Sequence, residues 1–444
     1  MASHKATRSA LRPSIHEIVG RPSHESTPSH RSEEPLESAV LPPSFPAGTP
    51  ATVVSPTIEP DQNRLRVWEV TPYGLRAVSG ITTLVRDLSR RLEEHGCHVT
   101  VITPEASEGG WPDGFGVISL CVRGPFRNGA LAWKTAATLW KHRRHWDVLH
   151  LHQGHLMTCF AAIVARVLAR PAVVTFHVQL PPGIGLRSYP TRVATYLVGR
   201  FAVKRVFVSE RTRLDFQLEG RVIRNGIDVA QVQSALGSRV DLRSKLGLSG
   251  FVVAFSGRKA RNKGYMDLLR AVRRVRDLGF DVRLLALGPI DPTEAEEISA
   301  LVDENALRPF IADVGKRSDC IAFLSAADAI ALPSYREGFP MSLLEGMAAG
   351  LPVIASAVGG IPELVTEGHD GFVVPPGNIE ALSQAIRRLA ENPALTQRLA
   401  LAARVTAQTH DSKATAASYL EVFAEARGVE RKASDDASAD GSCT

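Results

Sequence analysis

The chain has 444 residues, 22% charged and 44% hydrophobic, the proportions of an ordinary globular protein of two or three domains. Fifty-two basic against 46 acidic residues leave a net charge of +6, a mild excess that suits an anionic ligand or a membrane surface and is too dispersed to argue for nucleic acid. No apolar run reaches the roughly 18 residues of a spanning helix, and residues 1–20 lack the apolar core of a secretory signal.

The five cysteines (Cys97, Cys121, Cys159, Cys320, Cys443) are scattered without a CxxC pair. That argues against a disulfide frame or a zinc site and for reduced thiols in the cytoplasm. Residues 1–63 hold ten of the 28 prolines and four of the 14 histidines, with almost no apolar periodicity. Such a segment buries too little surface to offset its chain entropy, so it reads as a disordered tail. His4, His16, His24 and His30 within it lack the spacing of metal ligands. The Ser/Ala/Asp-rich end, residues 429–444, reads as a second disordered tail.

Between the tails, short β-branched runs alternate with helical periodicity. Strands are expected at 65–70, 98–103, 148–151, 172–177, 205–209 and 222–225, with helices at 80–94, 155–168 and 191–201. From about 234 the pattern resets. Strands are expected at 251–256, 282–287, 310–314, 329–333, 352–355 and 371–374. Helices are expected at 265–278, 292–302, 319–326, 341–350, 379–391 and 394–408. Tandem series of buried strands and helices imply an α/β protein of two Rossmann-like domains, with parallel sheets facing a central cleft. Ligands of such sheets sit beyond the carboxyl ends of the strands, so the motifs should follow strands.

They do. Gly257-Arg258-Lys259-Ala260-Arg261-Asn262-Lys263-Gly264 leaves the 251–256 strand and enters a helix. Arg258 can fork to two oxygens of a diphosphate, and Lys263 adds charge beside a helix N-terminus. A solvated basic turn is the plainer alternative. The loop is neither GxGxxG nor a P-loop, which leaves nucleotide hydrolysis without support.

The second motif runs Pro333-Ser334-Tyr335-Arg336-Glu337-Gly338-Phe339-Pro340-Met341-Ser342-Leu343-Leu344-Glu345. Pro340 suits a first helical turn, and the free amides of Met341, Ser342 and Leu343 could receive an anion or hydroxyls. Glu337 and Glu345 suit the hydroxyls of a sugar and a ribose, although a dipole-complementing charge is the plainer reading of Glu337 alone. His177 closes a strand, Ser79-Gly80 opens the first long helix, and Asn225-Gly226-Ile227-Asp228 reads as the crossover between domains.

The segment EGFPMSLLEGMAAGLPVIASAVGGIPELV resembles the E-x7-E region of the family 4 (group 1) retaining glycosyltransferases, which have the GT-B fold. GRKARNKG, VIRNGID, DVLHLHQGH, VVTFH and GHDGFVVPPGNIEALSQAI are similar to further segments of that family, in its order, across residues 65–425. The resemblance implies an acceptor-side domain over 64–233 and a nucleotide-sugar-binding domain over 234–409. It also implies a helix at 410–428 crossing back onto the first domain.

It further implies that Arg258 and Lys263 stabilise a diphosphate leaving group, that Glu337 binds the donor sugar and Glu345 the ribose, and that His177 lies against the reacting sugar. Gly80, Gly257, Gly338, Phe339, Pro340, Met341, Ser342 and Leu343 would complete the donor site. The family often has Gly-Gly where this chain has Ser79-Gly80. The expected reaction is retaining transfer of a sugar from a nucleotide diphosphate sugar by front-face displacement. The stretch between the tails has no Asp-x-Asp, so neither a metal nor a cofactor is expected.

The acceptor stays open between a lipid-linked, a polysaccharide and a small-molecule hydroxyl, in a cytoplasmic enzyme that could lie on the inner face of the membrane. Basic residues interleaved with Trp133, Trp140 and Trp146 over 126–146, and a weaker set over 187–205, suit an anionic interface. The alternatives are a GT-B nucleotide-sugar epimerase and a non-catalytic sugar-binding protein.

Overall fold

In the computed structural model the valine- and isoleucine-rich runs become two parallel sheets. The structure describes residues 53–54, 64–75, 80–104, 115–122, 127–178 and 189–440, with backbone alone at 53–54, 189–191 and 429–440. The first half contains β1 (Val53–Val54), β2 (Arg66–Val70), α1 (Gly80–Glu94), β3 (His98–Thr103), β4 (Gly116–Ser119), α2 (Arg127–Lys141) and β5 (Val148–His152). It continues with α3 (Leu156–Val167), β6 (Ala172–Phe176), α4 (Tyr189–Phe201), β7 (Lys204–Phe207), α5 (Glu210–Phe216) and β8 (Arg221–Val222).

The second half opens with α6 (Val229–Ala235) and α7 (Arg239–Lys245), then β9 (Phe251–Ser256), α8 (Tyr265–Asp277), β10 (Val282–Leu287), α9 (Ala295–Glu304), β11 (Ile311–Gly315) and α10 (Cys320–Leu324). It is completed by β12 (Ala329–Leu332), α11 (Met341–Ala348), β13 (Val353–Ser356), α12 (Ile361–Leu364), β14 (Gly371–Val374), α13 (Ile379–Glu391), α14 (Pro393–Thr409) and α15 (Ser412–Asp440).

The first sheet runs β1-β4-β3-β2-β5-β6-β7-β8, all parallel except β1, which pairs antiparallel with β4 at the edge. The second runs β11-β10-β9-β12-β13-β14, all parallel. Strand order reverses beside β2 in the first sheet and beside β9 in the second, so each sheet has one switch point where strand ends splay apart to admit a ligand.

Both faces of the first sheet are buried, as parallel strands require. Trp68, Leu149, Leu151 and Phe176 pack under α2 and α3. On the other face Val67, Val99, Val148 and Val173 pack under α1 and α15. Tyr419 and Phe423 of α15 are fully buried there. Burial at that level stabilises by roughly 1.5–3 kcal/mol for a large apolar side chain.

Several elements depart from the sequence expectation, β4 among them. β1 lies inside the segment expected to be a disordered tail. α15 runs to Asp440, past 428, through residues expected to form the second disordered tail. The helix expected at 292–302 starts only at Ala295, because Asp291 first caps a turn by accepting from the Thr293 amide at 3.1 Å.

Candidate active site

Two loops at the β9/β12 switch point build the site, and glycines hold them together. Gly264 has φ +68°, and a Cβ there would lie 1.9 Å from the Pro333 carbonyl. Only glycine allows the turn at Arg261–Lys263 to reach the loop after β12. That approach places Lys263 Nζ 2.7 Å from Glu337 Oε1, which also accepts from Ser334 Oγ at 2.7 Å. Glu337 is buried at 6% exposure.

Gly338 makes the same close approach toward the other half: a Cβ would fall 1.8 Å from the His177 carbonyl. Asn225 Nδ2 donates to the Phe339 carbonyl at 2.7 Å, and a bridge joins Ile227 to Asp411. The chain that the sequence marks as the crossover therefore does stitch the two halves beside the site.

Arg258 follows Gly257, whose carbonyl sits against Gly288, and it ion-pairs with Asp291 at 3.0 Å while half-exposed. The structure thus joins Lys263 to Glu337 but gives Arg258 a separate carboxylate. Lys259, between them, is buried and paired with Asp313 of β11. Sequence reasoning gave Lys259 no role, since a lysine in a basic loop reads as solvated. At the end of β11, Gly315 donates its amide to Asp313, and beyond it Arg317 pairs with Asp319.

α11 starts at Pro340 with no side-chain cap and no acid in its first turn. Among the described residues the amides of Met341, Ser342 and Leu343 have no acceptor. Phe339, Met341 and Leu343 are themselves buried, so what they offer the cleft is backbone. Gly80, at the start of α1, faces Met341 across the cleft, 3.6 Å from its Cβ to a Cβ built on the glycine. Ser79 lies outside the described residues.

The side chain of Glu345, one turn along α11, makes no hydrogen bond or ion pair among the described residues. Burial in the cleft wall, with some contact to solvent retained, pushes its carboxyl up to about 7. An uncompensated carboxylate of this kind in a cleft wall makes a functional-site candidate.

His177 ends β6, buried, with its amide donating to Gln153 Oε1 at 2.9 Å. Gln153 takes φ +65°, a left-handed conformation uncommon outside glycine. His177 Nε2 lies 3.0 Å from His152 Nδ1, and His152 Nε2 lies 3.8 Å from Glu69 Oε1. Glu69 also meets His150 Nδ1 at 3.1 Å and Ser89 Oγ at 2.6 Å, while His150 Nε2 meets Thr175 Oγ1 at 2.8 Å and Thr175 meets Tyr419 Oη at 3.1 Å.

Burial alone would raise the Glu69 carboxyl, but the imidazoles of His150 and His152 hold it well below the usual range. Burial pushes His150 down to about 4 and His177 well below its ordinary value. This network was not foreseen, although His150 and His152, two apart on a strand, were bound to share a face. Glu69, His150 and His152 are also the one group of described residues whose ligand atoms lie close enough for a metal, within 4.8 Å of one another. The 3.1 Å contact between Glu69 and His150 already satisfies both as a hydrogen bond.

Of the three tryptophans expected at a surface, Trp133 and Trp140 are 69% and 49% exposed, but Trp146 is fully buried and donates to the Leu139 carbonyl. Its indole fills the core under α2, which helical periodicity beyond the helix end could not show.

Two family models match the two halves: "Glycosyltransferase Family 4" over residues 78–231 and "Glycosyl transferases group 1" over 241–406. The phosphatidyl-myo-inositol mannosyltransferase of Mycobacterium leprae is 26% identical over 372 residues, 81% of this chain and 96% of that protein. The lipopolysaccharide core biosynthesis glycosyltransferase LpsD of Rhizobium meliloti is 35% identical over 196 residues, 44% of this chain and 54% of its own. Among solved structures, Anabaena HepE in complex with UDP-glucose superposes with TM-score 0.70 at 22% identity, covering 82% of this chain and all of that one. Sucrose-phosphate synthase of Thermosynechococcus elongatus gives 0.69 at 23% identity, covering 82% and 99%. With both of its halves matched by models of one family and its two sheets arranged in the GT-B manner, the chain belongs to the group 1, family 4 glycosyltransferases.

Proposed function

We propose that this glycosyltransferase moves a sugar from a nucleotide diphosphate sugar to a hydroxyl acceptor with retention at the anomeric carbon. The observation that carries the reading is the uncapped N-terminus of α11 beside the Lys263–Glu337 pair, at the switch point of the second sheet. Free amides, a lysine and Arg258 form a cationic lip for a diphosphate, and Glu337 and Glu345 are acceptors for its sugar and ribose hydroxyls.

In the reaction the C1–O bond of the donor breaks and its electron pair leaves with the diphosphate. The acceptor oxygen then bonds C1 from the same face, and its proton passes to the departing phosphate oxygen. Charge grows on the diphosphate, so fixed cations stabilise the transition state more than the ground state. Two basic side chains and no Asp-x-Asp between residues 64 and 428 support catalysis without a metal. His177 lies on the opposite wall, toward the donor sugar.

The name of the mannosyltransferase relative, together with α2, supports a lipid-linked acceptor. Trp133 and Trp140 lie seven residues apart on one exposed helix face, with Lys141, Arg143 and Arg144 exposed beside them.

A thermal-shift panel of UDP-, GDP- and ADP-sugars tests the donor site, since a ligand stabilises by RT ln(1 + [L]/Kd). One donor should raise Tm clearly. NMR of the product should show a retained anomeric configuration, and EDTA should leave the rate unchanged. A product still linked to the nucleotide would favour the epimerase reading.

A further inference from the structure

Two buried ring nitrogens, His152 Nε2 and His177 Nδ1, have no hydrogen-bond partner among the described residues. Buried polar atoms are rarely left so, and these two lie at the ends of one short path: Glu69, His152, His177. The protons on that path can be placed by elimination. Glu69 is ionised and can only accept, so Ser89 donates to Oε2 and His150 carries its proton on Nδ1, facing Oε1. Neutral His150 then accepts on Nε2 from Thr175, which accepts from Tyr419.

The second branch follows the same rule. His152 Nε2 faces the same carboxylate at 3.8 Å. A lone pair there would oppose a buried negative charge in a low-dielectric site, whereas an N–H is attracted to it. In a neutral ring with its proton on Nε2, His152 Nδ1 is an acceptor. The 3.0 Å contact to His177 then requires the proton on His177 Nε2. His177 Nδ1 is left with a lone pair and nothing to accept from.

We propose that Glu69 and His152 are positioning residues for His177: the buried carboxylate fixes His152, and His152 fixes His177, with the proton on Nε2 and a bare Nδ1 presented as a hydrogen-bond acceptor for a substrate hydroxyl. Gln153, in its left-handed conformation, holds the His177 backbone from the other side. The substrate half of this inference rests on the proposed transferase reading; the tautomer half does not.

The test is 15N NMR of histidine-labelled full-length protein, with kinetics on two variants. Wild type should show His177 protonated on Nε2 and bare on Nδ1. Glu69→Gln should give mixed His177 tautomers and lower kcat about tenfold or more, with the donor KM nearly unchanged. Tyr419→Phe cuts the network on the branch leading away from His177. It should lower Tm while leaving the His177 tautomer and kcat as in wild type.

A proton on His177 Nδ1 in the wild type, or equal kcat losses in both variants, would overturn the proposal. So would stoichiometric metal in the purified protein by elemental analysis. If no nucleotide sugar is turned over at all, the transferase reading fails, and the tautomer spectra still decide the wiring by themselves.

Discussion

Lys263 and Glu337 meet at 2.7 Å across two loops that follow different strands, and Glu337 is the more deeply buried of the two. Removing the lysine therefore does two things. It takes a cation from the proposed diphosphate site, and it leaves Glu337 without its ion-pair partner. Lys263→Ala should lower kcat/KM by about 10²–10³ and also lower stability, by about 1–3 kcal/mol given the partial exposure of the lysine. Adding Glu337→Gln should restore Tm without restoring turnover. A double variant as unstable as the single one would show that the pair is not what holds the loops together.

Arg258 makes the contrast. Its guanidinium is half-exposed and its partner Asp291 lies near the surface, so Arg258→Ala should keep its Tm within a degree or two. Its turnover should fall by about 10²–10³. Turnover close to wild type would remove Arg258 from the leaving-group site.

Glu345 carries the pH dependence. Its carboxyl titrates near 7 in the folded chain against an ordinary 4.5, so the folded state holds the proton more tightly. Stability is thus lost as pH rises from about 4.5 to about 7, and the loss persists above that. Glu345→Gln should match wild type at pH 4 and be more stable at pH 8, by of the order of 2 kcal/mol once its partial contact with solvent is allowed for. If Glu345 holds the ribose as proposed, donor affinity should rise with pH through 7 in the wild type, because the ionised group accepts from both hydroxyls, and should be flat in the variant. Thermal melts with and without donor at several pH values measure both.

Two glycines that look alike in sequence should behave differently. A Cβ at Gly338 would collide with the His177 carbonyl, and the obstacle is backbone, which cannot swing aside. Gly338→Ala should separate the two halves and abolish turnover. A Cβ at Gly80 meets only the Met341 side chain at ordinary contact distance. Gly80→Ala should fold with unchanged Tm and show any loss as a raised donor KM.

On α2, Trp133→Ser with Trp140→Ser should leave activity on a soluble acceptor intact and reduce flotation with anionic liposomes at low salt. Equal flotation of both proteins would remove this face from membrane binding.

The sheet strands were legible where they were long and buried: residues 251–256, 282–287 and 98–103 form strands with those bounds, because a continuous Val/Ile/Leu run between turn residues has few other uses. β4 was missed, since GVIS is four residues opened by a glycine. The loops that follow β9 and β12 were legible as chemistry because charge and glycine occur together there. Glu69 was not. A glutamate inside a strand reads as solvent-facing, and only the pairing of β2 with β5, which sets it opposite His150, reveals what it serves. Trp146 erred in the opposite direction, an amphipathic pattern whose last member turns inward.

α15 packs Ala416, Tyr419, Val422, Phe423 and Ala426 into the apolar cluster of the first half, more than 300 residues after α1 begins. During synthesis the leading half therefore leaves the ribosome with that sheet face covered by α1 alone, and it stays so until residues 412–426 have been made. Emergence of α15, rather than of the first domain, is the event that completes that face, and a nascent chain stalled before residue 412 should be a client for chaperones.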